Sequence, residues 1–526
     1  MKGSRGFPIP KENHAFRGFG GRGQIRGQFG FPSVKRTSED TTGDGKEVWL
    51  VLGESVAGDT SSSITVGPTT LPDTAFLWNG SGLTELTTQD INNNGPGFGT
   101  PWKQFALNRN AATGKKCVFV QRAKSSSEVF PDGDNNNWST TGNLYYPAVA
   151  AANAALKYLR LSRLKGILMM VGTNDALGAQ SLVSIRAAFF DLIARLNTEF
   201  RNIPIYMTSI GRTGGSFLPD RVYSVKTIID DISASVPNVH IVGNLLNWTS
   251  WSMIDADNVH LTQPGYNKVG EVFDRYIRNP EPNKMVREVQ NIFFNDQSAN
   301  YAAIKEFVEG CIIDGNWKRT SLDTFMFFHP TDINDKIVGW TNLDYARYQG
   351  GITGGGTNYL KSDGIAGTKV STNVSPSYFR YATQNDFIKF IRTGAVVTAA
   401  GTAMNLYTAG GNMILRSSAS NVLSYFSNST TGDSWTGGDT QFQNNTDYAH
   451  DRTTSTAFHL WKNGSIVDTG SAASSAPDTT TLCIFASAAD SLPGAAEASY
   501  CGYAKLSGFN YTAFIARVST LKSKWV

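Results

Sequence analysis

Three polar segments lie downstream of apolar runs in this 526-residue chain, and their residue types could work together. Gly53-Glu54-Ser55 closes the run "KEVWLVL", Gly172-Thr173-Asn174-Asp175 closes "GILMMV", and Asp257 stands three residues before His260 in "DADNVHLTQPG". A serine hydroxyl is a weak nucleophile at neutral pH and needs a base within hydrogen-bond reach. His260 would take the Ser55 proton, and Asp257 would hold the imidazole in the right tautomer, with Asp255 competing for that role. An acyl-transfer intermediate also develops an oxyanion, which the Ser55 N–H and the Asn174 side-chain amide would meet. Each residue alone has a plainer use: serines often end strands, and Asn174-Asp175 could cap a helix. It is their order along the chain that points to chemistry.

Such residues need a scaffold that brings them to one edge. From about 46 to 280, short β-branched runs ("VWLVLG", "CVFVQRA", "GILMMVG", "IPIYMTSI", "VHIVG") alternate with patterns such as "SLVSIRAAFFDLIARLNTEF", whose apolar residues recur three and four apart. Strand and helix alternating in this way predict a parallel sheet covered on both faces, a three-layer α/β sandwich. The loops at the carboxyl ends of its strands then share one edge, where open α/β sheets bind ligands.

These segments resemble the SGNH, or GDSL-like, hydrolases. That family carries its nucleophile after the first strand, an asparagine in a Gly-x-Asn-Asp block and an Asp-x-x-His pair near the domain's end. The resemblance implies Ser55, His260 and Asp257 as catalytic residues. It also implies an oxyanion hole of Ser55, Asn174 and a glycine from "NNNGPGFGTPWKQFA", a stretch similar to the sialate O-acetylesterase-like branch. Gly97 is the expected glycine, with Gly95 and Gly99 as alternatives. Glu54 stands where the family's usual motif has Asp, and the sequence assigns it no role. A Glu54/Asp175 pair for glycoside cleavage would need a separation that the sequence does not fix.

The rest of the chain has a different character. Residues 1–45 form a Gly/Arg/Phe-rich arm, and residues 1–36 carry a net charge of +7 against +4 for the whole chain. Such a composition cannot bury a core. It suits a flexible tail or docking into a larger assembly through Phe16, Phe19, Phe29 and Phe31, and it suits nucleic-acid contact less well. A helical linker is expected over 281–319. From 320 to 526, Ser/Thr/Gly/Asn-rich sequence with short alternating runs predicts an all-β antiparallel sandwich, with Asn463-Gly464 as a type I′ hairpin turn. This half resembles the concanavalin/laminin-G-like, jelly-roll or lectin-like sandwiches of phage virion proteins. Trp435, Tyr448 and Trp461 could stack on sugars, but core positions are the commoner fate of such residues.

Several classes are disfavoured. Cys117, Cys311, Cys483 and Cys501 show no CxxC spacing, and His14, His240, His329, His450 and His459 have no partners at metal-ligand spacing, so neither metal nor organic cofactor is expected. Cys483 and Cys501 could pair, though free thiols are the simpler expectation. No apolar run approaches the length of a membrane helix and no secretory h-region opens the chain. The expected protein is a phage virion-associated serine esterase, made in a host cytoplasm and carried on the tail or capsid surface. It would remove O-acetyl groups from a bacterial surface glycan, contact other virion proteins through the arm and form a homo-oligomer. The alternatives are a non-catalytic structural or adhesion protein on a degenerate SGNH scaffold, and a lipase-type esterase.

Overall fold

Strand β1 (Lys46–Gly53) is apolar from Val48 to Leu52 with every side chain buried, as a strand covered on both faces requires. The computed structural model describes residues 45–58, 72–86, 99–131, 133, 135–210, 219–244, 259–279, 281–290, 300–317, 322–327, 338–339, 352–353, 365–366, 369–371, 382–394, 405–408, 413–417, 423–427, 433–435, 443, 445–474, 476, 482–484 and 497–524. The arm lies outside them, and Thr42–Val526 forms one unit.

Around β1 are β2 (Ala75–Trp78), β3 (Leu83–Glu85), β4 (Lys116–Gln121), β5 (Gly166–Met170), β6 (Ile205–Ser209) and β7 (Val239–Asn244), in the spatial order β3-β2-β4-β1-β5-β6-β7. All neighbours are parallel except β3, which returns antiparallel beside β2. The chain builds outward from β1 on one side through β2 and β4 and on the other through β5, so the strand order switches at β1. Parallel α/β sheets open their ligand crevice at such a switch.

Helices cover both faces. Besides the single turn α1 (Ser55–Gly58), they include α2 (Trp102–Thr113), α3 (Tyr145–Leu159), α4 (Thr173–Leu177), α5 (Leu182–Phe200), α6 (Pro219–Ser235) and α7 (Gln263–Arg278). Leu50 and Leu52 face the core shared with α3, α5 and α6, whereas Trp49 and Val51 face the core shared with α2 and α7. α5 buries Ile185, Phe189, Leu192, Ile193, Leu196 and Phe200, one stripe at helical spacing, and Ser181 caps its start by accepting the Ser184 N–H at 3.1 Å. Each such apolar side chain contributes roughly 1.5–3 kcal/mol on burial.

The expected linker, 281–319, supplies two helices, α8 (Lys284–Gln290) and α9 (Tyr301–Ile313). The Lys284 ammonium donates to the Ser233 carbonyl at 2.6 Å, anchoring α8 to the end of α6. α9 is no mere connection. With the final helix α10 (Tyr511–Lys524) it covers one face of an antiparallel sheet, where Phe307, Trp317, Phe325, Phe390, Tyr500 and Phe514 form the core. The terminal helix therefore has a packing role, with α9 as its partner on that face of the sheet.

That sheet has Phe387–Thr393 and Glu497–Ala504 at its centre, and a second antiparallel sheet centres on Leu482–Ile484 and Asn405–Thr408. Ala457–Lys462 and Ser465–Ser471 form the expected hairpin, with φ 48° at Asn463 and 79° at Gly464, the positive pair that a type I′ turn requires. Tyr448 is fully buried, and Trp461 donates its indole N–H to Asp451 at 2.5 Å, so both serve the packing of this half; the Trp435 side chain lies outside the description. Cys117, Cys311 and Cys501 are buried free thiols. Among the described residues no helix is long and apolar enough to cross a membrane.

One buried ion cluster ties β1 to both helices on its α2 side. The Arg109 guanidinium donates to Glu47 through Nε at 2.8 Å and Nη2 at 3.0 Å, and its Nη1 lies 3.9 Å from Asp274 of α7. Removing one partner from a buried network leaves uncompensated charge, at about 3–5 kcal/mol. Arg109→Met is therefore expected to destabilise the protein by about that amount. Denaturant unfolding checks this through a lowered midpoint at unchanged m-value.

Candidate active site

The turn out of β1 is dictated by close backbone approach. Gly53 has φ 154°, and a Cβ there would lie 2.4 Å from the Met170 carbonyl oxygen and 2.5 Å from Ala57 Cβ. No L side chain fits. Glu54 N–H then donates to that same Met170 carbonyl at 3.1 Å, which fixes the chain as it enters α1. The Ala57 carbonyl accepts from the Trp102 indole at 2.6 Å and from Gln121 Nε2 at 3.2 Å. Ser55 is thus held through the backbone of Glu54 and Ala57 on either side of it, by groups from β5, α2 and β4.

His260 arrives from the opposite end of the domain, just ahead of α7. That helix packs onto α2 at Gly270, where a Cβ would stand 2.2 Å from the Pro101 carbonyl oxygen. Its Nε2 lies 2.8 Å from Ser55 Oγ, a hydrogen bond across 205 positions of sequence. An imidazole nitrogen at that distance can take the hydroxyl proton. Asp255, Asp257, Gly95 and Gly97 lie outside the described residues.

Glu54, without a role in the sequence, is the link between the other two segments. Its Oε1 accepts the Thr173 N–H at 3.0 Å, and its Oε2 accepts both the Asn174 N–H at 3.1 Å and Asn174 Nδ2 at 2.9 Å. Those two N–H groups are the free donors at the start of α4, so Glu54 caps that helix from another strand. Burial pushes its carboxyl up to about 7, against the pull of these donors, and the charge of Asp175 adds to the rise.

Asn174 is correspondingly engaged. Besides Glu54, Nδ2 donates to the Ser127 carbonyl at 3.2 Å, so both amide hydrogens have acceptors. Two neighbours complete the corner. The buried Asp175 carboxylate accepts the Val129 N–H at 3.1 Å and the Phe130 N–H at 3.0 Å, tying down the segment after β4. Arg221 from α6 donates to the Ala176 carbonyl at 3.1 Å and to Gln180, satisfying carbonyls at the far end of α4. Glu54 and Asp175 both spend their oxygens on backbone N–H groups rather than facing each other as a catalytic pair.

Residues 85–278 match a family model described as carbohydrate esterase, sialic acid-specific acetylesterase. The matched segment begins after Ser55 and includes Asn174 and His260. No curated protein sequence matches the chain. Solved structures similar to it include a protein from Arabidopsis thaliana, with TM-score 0.34 and 15% identity over 44% of this chain and 96% of that one. NanS gives TM-score 0.33 and 12% identity over 44% and 96%. A carbohydrate acetylesterase from Xanthomonas citri gives TM-score 0.29 and 14% identity over 44% and 56%. It is the match of residues 85–278 that makes this part of the chain similar to sialic acid-specific acetylesterases. The family model is one of carbohydrate esterases.

The Glu54 carboxyl makes stability depend on pH. Between about pH 4.5 and 7 the unfolded carboxyl has lost its proton while the folded one keeps it. The folded state then binds more protons, so this group's contribution falls as pH rises through that window. Wild type is expected to lose more stability between pH 5 and pH 8 than Glu54→Gln, which cannot titrate. Urea unfolding of both proteins at the two pH values checks this, and parallel losses would contradict it.

Proposed function

We propose that the chain is a serine esterase that removes O-acetyl groups from carbohydrate, with Ser55 as nucleophile and His260 as base. The observation that carries this reading is the 2.8 Å contact between His260 Nε2 and Ser55 Oγ at the carboxyl edge of β1, where the strand order switches. Ser55 Oγ attacks the acetyl carbonyl as its proton passes to His260 Nε2. Collapse of the tetrahedral intermediate breaks the bond to the sugar oxygen, which takes the proton from His260. Water then attacks the acetyl-serine with His260 again as base, releasing acetate and restoring Ser55.

For Nε2 to accept, the imidazole proton must sit on Nδ1, and Asp257 is the residue proposed to hold it there. The proposed oxyanion donors are the Ser55 N–H, the Gly97 N–H and Asn174 Nδ2. The longer of the two Asn174 contacts, to the Ser127 carbonyl, is the one an oxyanion would replace, while Glu54 keeps the amide aimed. The family model's description supports an acetylated sugar as substrate. The wider setting is part of the same proposal: a virion-borne enzyme acting on a bacterial surface glycan, with the arm docking to other virion proteins. Its support is the pairing of a hydrolase-like domain with an arm whose residues 1–36 carry a net charge of +7 and a C-terminal antiparallel half.

Fluorophosphonate labelling is expected on wild type and absent on Ser55→Ala; a folded wild type that stays unlabelled overturns the reading. Acetate release should favour O-acetylated sugars over long-chain esters. Asn174→Ala is expected to lower kcat by roughly a hundredfold or more, the usual cost of one oxyanion donor. Steady-state kinetics on an acetylated sugar reads that loss.

A further inference from the structure

Arg122 follows β4 directly, one strand over from the end of β1, at the edge that carries Ser55. Its backbone is fixed there: its N–H donates to the Val51 carbonyl at 3.0 Å, and two residues on the Lys124 N–H donates to Gly53 at 2.9 Å. Along β4, Cys117, Phe119 and Ala123 join the α2-side core, and Gln121 reaches Ala57 on that side. Val118 and Val120 take the opposite face, and alternation puts Arg122 with them, on the side where Glu54, Asn174 and the segment after β4 meet.

Among the described residues the Arg122 side chain has no hydrogen-bond or charge partner, at the very edge that carries Ser55. Its Nε is sealed from solvent without an acceptor, and among the described residues no carboxylate pairs with it. Arg109 is paired with Glu47 and Arg221 with three carbonyls, whereas Arg195 bonds Asp191 and the Trp138 carbonyl but leaves Nη1 unsatisfied, and Arg287 Nε, away from this edge in α8, is unsatisfied too. Half-buried, the Arg122 guanidinium is held below its ordinary range by lost hydration, with no charge among the described residues to offset that. An unsatisfied donor at this depth costs free energy that a bound acceptor would return.

We propose that Arg122 is a substrate-recognition residue that binds the carboxylate of an acidic O-acetylated sugar while the acetyl ester lies at Ser55. The inference rests on the esterase reading and deepens it. A planar guanidinium with parallel N–H groups matches a carboxylate in a two-point pair, which a neutral sugar cannot supply. The reaction class that supplies such a substrate is O-acetylation of an acidic glycan, and the product is the same sugar with a free hydroxyl.

The test is direct binding, by calorimetry, of free sialic acid and of its methyl ester to wild type, Arg122→Gln and Arg122→Lys. Wild type is expected to bind the acid at least tenfold more tightly than the ester, and Arg122→Gln to erase that preference. An absent preference in wild type, or one that persists in Arg122→Gln, overturns the proposal. Should Arg122→Gln fail to fold, Arg122→Lys is read in its place: it keeps the charge without the fork, so a preference reduced at least threefold supports the role and an undiminished one overturns it. Fluorophosphonate labelling of Ser55 reports separately on the esterase reading. Labelling without discrimination between acid and ester removes the Arg122 assignment alone, whereas discrimination without labelling leaves a carboxylate site on a chain that is not a serine esterase.

Discussion

The candidate site depends on one buried carboxylate. Glu54 leaves the end of β1 and accepts three N–H groups from Thr173 and Asn174, so the strand that carries Ser55 and the helix that carries Asn174 share a joint. Neither segment could hold its place as well alone. α4 is a single short turn, too short to be stable by its own propensity. Its start is satisfied by Glu54, its end by Arg221, and its first acidic side chain grips the segment after β4. The cost is that burial pushes this carboxyl up to about 7, so the charged form is disfavoured even with each oxygen hydrogen-bonded.

The α/β half was legible because its signals are periodic. β-branched runs and three-four helical spacing announce a covered parallel sheet, and the carboxyl-edge rule then gathers Ser55, Asn174 and His260 without further information. The role of Glu54 was not legible, since it depends on which backbone N–H groups stand opposite across 119 positions. Trp102 and Gln121 escaped for the same reason: their target is a main-chain carbonyl, which leaves no trace in residue type. Arg122 was hidden differently. In the sequence it is one more arginine after a strand, and only the fold shows an unsatisfied guanidinium at the edge that carries Ser55.

In the C-terminal half, turn chemistry was readable where a dipeptide dictates it, as at Asn463-Gly464. The packing was not. The aromatics Phe307, Phe325, Phe390 and Phe514 come from a helix, two strands and a second helix, and only the folded sheet reveals them as one cluster. The segment 281–319 read as a linker because Pro280 and Pro282 break the helix before it and its helical stretch near Ala302 to Cys311 leads into sequence of a different composition. Yet α9 buries Ile304, Phe307, Val308 and Cys311, a stripe that commits it to a sheet encoded later in the chain.

The way Ser55 is held explains how the candidate site tolerates an unusual residue beside the proposed nucleophile. The groups that fix α1 act on main-chain atoms: Met170 O receives the Glu54 N–H, and Ala57 O receives Trp102 and Gln121. Backbone bonds of this kind ask only that the glycine at 53 admit the approach and place no demand on the side chain at 54. That position is free to vary so long as its carboxylate can reach the start of α4, which a glutamate does here. A departure from the common serine motif is therefore compatible with an intact turn at Ser55, because the turn is built from the sheet rather than from the motif.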